Sequence, residues 1–231
     1  MGTFHFKQFD VTDTHSAMKI GTDGVLLGAW ATPPDGCRLI VDAGTGSGLI
    51  ALMMAQRTLC PKIIGVEIES GAILDAVANA LTSPWARRLT MTQDDILNWS
   101  PPEDGHPMLI VSNPPFFTET LRSPDSDRAL ARHGEGLDVG SLISWADSVM
   151  THPLDRLAFI APADRDDEIE FSLTLHRFNL LERCRLSHRE GQKPIRTLWL
   201  AGREMVVPKH NSLVINSQEY RSLTSPFYLD K

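Results

Sequence analysis

The feature that most constrains this chain is an alternation of two periodicities between residues 38 and 202. Short apolar runs bounded by turn-forming residues fall at Arg38–Asp42, Lys62–Ile68, Arg88–Thr92, Met108–Ser112 and Leu157–Ala161. Their length and composition are those of buried strands. Between them, Gly48–Arg57, Ser70–Leu81, Val139–Met150 and Asp164–Phe178 carry helical spacing. Strand–helix–strand units close as right-handed crossovers onto a parallel sheet, and their helices cover its faces. Two further runs, Leu180–Ser187 and Ile195–Gly202, are separated by little more than Glu190-Gly191-Gln192-Lys193-Pro194. No helix intervenes there, so these two are expected to form an antiparallel hairpin at the end of the sheet. The expected fold is α/β, with a seven-stranded, mostly parallel sheet and helices on both faces.

With 231 residues, 42% of them hydrophobic, the chain suits one domain over residues 1–231. Residues 1–37 read as an N-terminal segment closed by Pro33, Pro34 and Gly36, and residues 38–231 as the core with a polar C-terminal tail. No run approaches the roughly 20 apolar residues that span a bilayer, and no charged-then-apolar leader opens the chain. A cytoplasmic protein, taken as a monomer, is expected. Cys37, Cys60 and Cys184 are far apart, odd in number and form no CxxC pair. They fit burial as small apolar residues in a reducing compartment, and no metal site is expected. The formal net charge of -7 argues against a nucleic-acid binder, an argument weakened where basic residues cluster.

Asp42-Ala43-Gly44-Thr45-Gly46-Ser47-Gly48 lies between the first strand and the first helix. Glycines there permit a tight turn and close backbone approach to a ligand, and the helix start offers unpaired N–H groups to an anion. Glu67 ends the second strand, where a carboxylate can accept both hydroxyls of a ribose. Dinucleotide-binding domains carry G-x-G-x-x-G at this point, with pyrophosphate over the helix. Here the spacing is G-x-G-x-G, with Asp42 two residues ahead of it. An acid there repels pyrophosphate but suits a cationic amino-acid group. S-adenosylmethionine has such an ammonium and also a carboxylate, and the stretch resembles the methyltransferase glycine motif with Glu67 as the ribose acid. By the same resemblance an acid after the third strand contacts the cofactor's adenine. Asp95 is the candidate and Asp94 its solvated neighbour; a helix N-cap is the competing reading for either.

Asn113-Pro114-Pro115-Phe116 follows the fourth strand. It resembles the N-P-P-[YF] motif of methyltransferases that act on planar amino groups: N6 of adenine, N2 of guanine, or the amide of glutamine. Such an amine is a poor nucleophile because its lone pair is delocalised. The Asn113 side-chain carbonyl and the Pro114 backbone carbonyl can each accept one of its N–H groups and move the nitrogen toward tetrahedral geometry. Two prolines hold the backbone that places both acceptors, and Phe116 offers a face on which the target ring can stack.

Phe6-Lys7-Gln8-Phe9, Ala17-Met18-Lys19-Ile20-Gly21-Thr22-Asp23-Gly24-Val25-Leu26-Leu27-Gly28-Ala29-Trp30 and Ser83-Pro84-Trp85-Ala86 are similar to segments of the bacterial tRNA(Val) adenine-N6 methyltransferase family. The likeness continues through Val66-Glu67-Ile68-Glu69-Ser70 and Ser112-Asn113-Pro114-Pro115 to Pro194-x-Arg196 and the closing Phe227-Tyr228-Leu229. The resemblance implies a Rossmann-like class I methyltransferase fold, S-adenosylmethionine as cofactor, and N6 of adenosine 37 in a valine tRNA as target. It implies an anticodon stem-loop as partner, and cofactor roles for Lys19 and Thr22 beside Asp42, Gly44, Gly46, Gly48, Glu67, Asp95 and Asn113. Thr22 can equally be the N-cap of the helix that ends at Trp30. Many relatives have tyrosine where this chain has Phe116, and the loop Phe117–Asp138 matches them poorly.

Lys7, Arg128, Arg132, Arg185, Arg189, Lys193 and Arg196 are the candidates for phosphate contact; the bland reading for each is a solvated surface charge. A protein glutamine-N5 methyltransferase shares the N-P-P motif but usually carries a separate helical N-terminal domain, and only 37 residues precede the first strand here. Other RNA N-methyltransferases, acting on adenine or guanine of rRNA, stay open alongside it.

Overall fold

A computed structural model describes residues 2–16, 18–103, 105–115 and 137–229. An N-terminal hairpin, β1 (Thr3–His5) and β2 (Asp10–Thr12), precedes helix α1 (Thr22–Trp30). The core then runs β3 (Leu39–Ala43), α2 (Leu49–Arg57), β4 (Lys62–Glu67), α3 (Ser70–Thr82), β5 (Leu89–Gln93) and β6 (Met108–Ser112). It continues with α4 (Val139–Val149), β7 (Arg156–Pro162), α5 (Asp166–Leu175), β8 (Asn179–Ser187), β9 (Arg196–Gly202), β10 (Lys209–Val214) and α6 (Gln218–Thr224).

The main sheet has the order β10-β8-β9-β7-β6-β3-β4-β5. Strands β3 to β7 pair in parallel, while β9 runs antiparallel to both β7 and β8, which is the expected terminal hairpin. Among the described residues the sheet has eight strands rather than seven, because β10 returns to lie parallel against β8. It sits in what reads as a polar tail. The first four of its six residues, Lys209 to Ser212, are exposed, so this edge strand has no apolar run to announce it.

The central strands are buried on both faces. Ile40, Ile63, Leu109, Val111 and Ile160 pack against α1 and α2. Val41, Val66, Ile110, Leu157 and Phe159 pack against α4 and α5. Alternating residues of one strand thus enter opposite cores, which is why these runs read as continuously apolar. The two ends of the chain meet: the Lys7 N–H donates to the Phe227 carbonyl at 2.8 Å, and the Phe6 and Tyr228 rings stack at 6.0 Å.

The segment after β2 is strapped onto α3. Asp75, almost fully buried, accepts from the His15 and Ser16 amides, the His15 ring and the Ser16 hydroxyl at 2.7–3.0 Å. Burial alone pushes this carboxyl up, but the four donors hold it below its ordinary range. One turn on, Asn79 exchanges hydrogen bonds with the Thr12 backbone and donates to the Ser47 carbonyl. Among the described residues, no helix is long and apolar enough to cross a membrane.

Candidate active site

Strand β3 lies between β4 and β6, so the chain order reverses beside it. In open α/β sheets ligands bind beyond the carboxyl ends of the strands at such a reversal. Asp42, Glu67 and Asn113 all belong to that edge.

The glycine-rich turn after β3 is pinned by the Gly44 and Thr45 amides, which donate to the Val66 carbonyl at 2.9 and 3.0 Å. Gly44, Gly46 and Gly48 have φ of 69°, 56° and 85°, a region costly to residues with a Cβ. A Cβ at Gly46 would meet nothing within 4 Å, so open space lies beside the turn. The Gly46 amide donates to Glu67 Oε2 at 2.8 Å, and the Glu69 amide to Oε1 at 3.0 Å. Each carboxylate oxygen of Glu67 retains capacity for another donor.

Asp42 is completely buried. Its Oδ2 accepts from the Thr45 hydroxyl at 2.6 Å and the Ala51 amide at 3.0 Å. Its Oδ1 has no partner among the described residues. Burial pushes the carboxyl up to about 7 despite the two donors, and the Glu67 charge adds to the rise. A buried acceptor left unsatisfied is costly, and a ligand cation would relieve it.

Asn113 follows β6, whose last residue, Ser112, donates its hydroxyl to the Ala43 carbonyl at 2.7 Å. This bond ties the Asn113-Pro114-Pro115 segment to the glycine-rich turn. The Asn113 amide nitrogen contacts Met18 Sδ at 3.7 Å, while its Oδ1 is buried and unpartnered among the described residues. A Cβ at Gly24 would lie 3.2 Å from Leu49 Cδ2 and 4.0 Å from Asn113 Nδ2, so the bare backbone eases the packing of α1 on α2, with Asn113 alongside. Pro114 is buried and Pro115 half-buried. Phe116 lies outside the described residues, as do Arg128 and Arg132.

The other expected residues divide. Lys19 donates to the Asp13 carbonyl and lies 3.7 Å from its Oδ1. Helix α1 begins at Thr22, but its N-cap is Gly21, in extended conformation, with no side-chain cap. The capping expectation for Thr22 therefore fails, because the chain enters the helix one residue earlier. Asp95 caps the turn after β5, accepting from the Leu97 amide at 3.0 Å and the Asn98 side chain at 2.8 Å. Asp94 is exposed; its amide donates to the Glu67 carbonyl. Arg185 pairs with Asp166 and Arg196 with Asp23, each at 2.8 Å. Arg189 and Lys193 are exposed on the loop between β8 and β9, and Lys7 is exposed beside the C-terminal segment.

Sequence reasoning gave no role to Met18, which contacts Asn113, or to Asp75 and Asn79, which fasten the segment after β2 to α3. The spacing of Asp75 and Asn79 on one face of α3 was the available signal. It also missed Ile68, which is 59% exposed directly after Glu67. The structure ends β4 at Glu67 and leaves this isoleucine outside it, an apolar face beside the candidate ribose acid.

This sheet, reversal point and glycine turn define the class I methyltransferase fold. An Agrobacterium tumefaciens protein described as a predicted O-methyltransferase shares it, with a TM-score of 0.66 at 18% identity over 89% of this chain and 96% of that one. The family model of the methyltransferase small domain matches residues 15–136. Relatives named tRNA1(Val) (adenine(37)-N6)-methyltransferase are 40% identical in Aeromonas hydrophila, over 98% of this chain and 97% of theirs. In Porphyromonas gingivalis the identity is 40%, over 97% and 94%. The chain belongs to this tRNA1(Val) (adenine(37)-N6)-methyltransferase family.

Proposed function

We propose that this protein uses S-adenosylmethionine to methylate N6 of an adenine in RNA, adenosine 37 of tRNA1(Val), in the cytoplasm. The observation that carries the reading is the buried Oδ1 of Asn113 at the carboxyl edge, unpartnered among the described residues. An exocyclic amine would satisfy it. Asp42 supports the cofactor half: its orphaned Oδ1 fits an ammonium, and Glu67, with acceptor capacity left on both oxygens, fits a ribose. Ile68 offers an apolar face to adenine, with Asp95 near the same strand ends. When bound, the cofactor supplies an electrophilic methyl on a sulfonium.

The protein's own part is to orient and to exclude water. The target base leaves its stack and gives one N–H to Asn113 Oδ1 and the other to the Pro114 carbonyl. The nitrogen lone pair, no longer spread into the ring, then points at the methyl. No strong base is needed, since the nitrogen becomes acidic once alkylated. Phe116 stacks on the ring, and Lys19 and Thr22 stand on the cofactor side. Nucleoside mass spectrometry of tRNA from cells with and without the gene, mapped to position, tests this. N6-methyladenosine at position 37 of valine tRNA should disappear without the gene. Its persistence would overturn the assignment.

A further inference from the structure

Strand β10 creates a feature that seven strands would lack. His210, Ser212 and Val214 of β10 stand opposite Arg183, Arg185 and Ser187 of β8 in the register of the two strands. With the loop after β8, they line a cleft of about 340 Å³.

The cleft's arginines are held from behind. Asp166 of α5 takes the Nε of Arg185 at 2.8 Å, and Glu170 takes Nη1 of Arg183. A guanidinium has five donors in a fixed fork, so each arginine keeps further N–H groups for a ligand. Being anchored already, it loses less freedom on binding one. The loop beside the cleft adds Arg189 and Lys193, exposed and in no ion pair among the described residues, against a single acid, Glu190. In a chain of net charge -7, this is a local reversal of sign.

Position matters as much as charge. The strands β8 and β10 run parallel to β6, so the carboxyl end of β8 and the loop after it share the edge that bears Asn113. Three strand spacings separate β6 from β8, about 14 Å, and one more reaches β10, about 19 Å. That is too far for the cleft to touch the reacting base. It is near enough for one nucleic-acid strand to reach both.

We propose that the β8–β10 cleft is a phosphate-binding site for RNA backbone flanking the target nucleotide, with Arg183, Arg185 and Lys193 as its cationic contacts. The proposal rests on the reading that the substrate is RNA. It assigns the cleft to affinity and register, and leaves the chemistry to Asn113.

The test is binding of valine tRNA by fluorescence anisotropy across a salt series, for the full chain and three variants. Lys193→Gln alters an exposed loop residue with no ion pair among the described residues, so it stays interpretable if Arg185→Gln folds poorly. Lys62→Gln, at the opposite edge of the sheet, is the charge-matched control. Arg185→Gln and Lys193→Gln should each weaken binding about three- to tenfold and lower the log–log salt slope by about one, while Lys62→Gln changes neither. Cofactor affinity by calorimetry should be unchanged in all three, which shows that they are folded. An unaltered salt slope in folded Lys193→Gln and Arg185→Gln overturns the cleft while leaving tRNA methylation intact. A wild-type protein that neither binds nor methylates tRNA removes the underlying reading instead.

Discussion

The β3–β4–β5 side of the sheet and the β6–β7–β9–β8–β10 side meet a ligand with different materials. On the first, the groups are backbone amides and buried carboxylates placed within the glycine turn and the strand end beside it: Thr45 to Asp42, Gly46 to Glu67, Glu69 to Glu67. On the second they are side chains held by other side chains, some of them far away in the sequence. Met18 meets Asn113 across 95 residues, and Arg196 meets Asp23 across 173. A site made of local backbone geometry changes little unless the turn itself changes, which suits an invariant cofactor. A site made of side-chain pairs can be retuned one pair at a time, which suits the recognition of one RNA among many.

The largest effect should come from the substrate side. Asn113→Ala removes an acceptor that matters most as the amine pyramidalises. Single-turnover methylation should slow by about 10²–10³-fold, by analogy with loss of one preorganised polar contact. Cofactor affinity should change far less than the rate, since Asp42 and Glu67 carry most of the proposed cofactor contacts, and a wild-type rate would refute the mechanism. Glu67→Ala should invert the pattern. Losing a charge-assisted bond costs roughly 1.5–3 kcal/mol, so the cofactor should bind about ten- to a hundredfold more weakly, with tRNA affinity preserved. If calorimetry shows both variants affecting both ligands equally, the two sides are not separable.

The same division explains what was legible in the sequence. Strand β6 lies where the apolar run put it, and β3, β4, β5 and β7 moved by one residue at most ends, because double-sided burial imposes a composition that a single sequence displays. The glycine turn and Glu67 were legible because local geometry demands those residues. Strands β1, β2 and β10 were not, being short or largely exposed. The meeting of Phe6 with Tyr228, and of Asp75 with His15 and Ser16, was also hidden. The spacing of Asp75 and Asn79 marks a polar face of α3, but nothing in either partner alone says which distant segment it meets. Arg185 and Arg196 read as free cations for the same reason, since their acids Asp166 and Asp23 lie on other elements.

A smaller effect separates strain from ligand contact. Gly46 and Gly36 both have positive φ, 56° and 74°. A Cβ at Gly46 meets nothing within 4 Å, and at Gly36 only Pro107 Cγ at 3.9 Å. Alanine at either position should therefore cost about 1–2 kcal/mol of stability from backbone strain alone, read as similar shifts in denaturation midpoint. Only Gly46→Ala should also weaken the cofactor, because its methyl enters the open space beside the turn. Equal cofactor affinity in the two variants would place the ligand elsewhere.

The smallest effect concerns Asp42, where burial raises the carboxyl from 3.8 to about 7. A folded value above the unfolded one means that the native protein holds this proton more tightly. The stability so contributed is fully present below about pH 4 and is lost as pH rises through about 7. A ligand ammonium at Oδ1 reverses the preference, because it favours the carboxylate. Binding below pH 7 must then expel a proton, and cofactor affinity should rise between pH 6 and pH 8 by at most about tenfold. Titration calorimetry in buffers of different ionisation enthalpy counts that proton directly. Asp42→Asn keeps the shape and resembles the protonated carboxyl, with one acceptor and one donor end, but cannot ionise. Its cofactor affinity should be lower at pH 8, and the Asp42 component of proton release should vanish. The ligand's own amine titrates in both proteins, so the difference between them is the quantity that decides. If wild type and Asp42→Asn release the same number of protons at pH 6, Asp42 does not face the ammonium, and its orphaned oxygen needs another explanation.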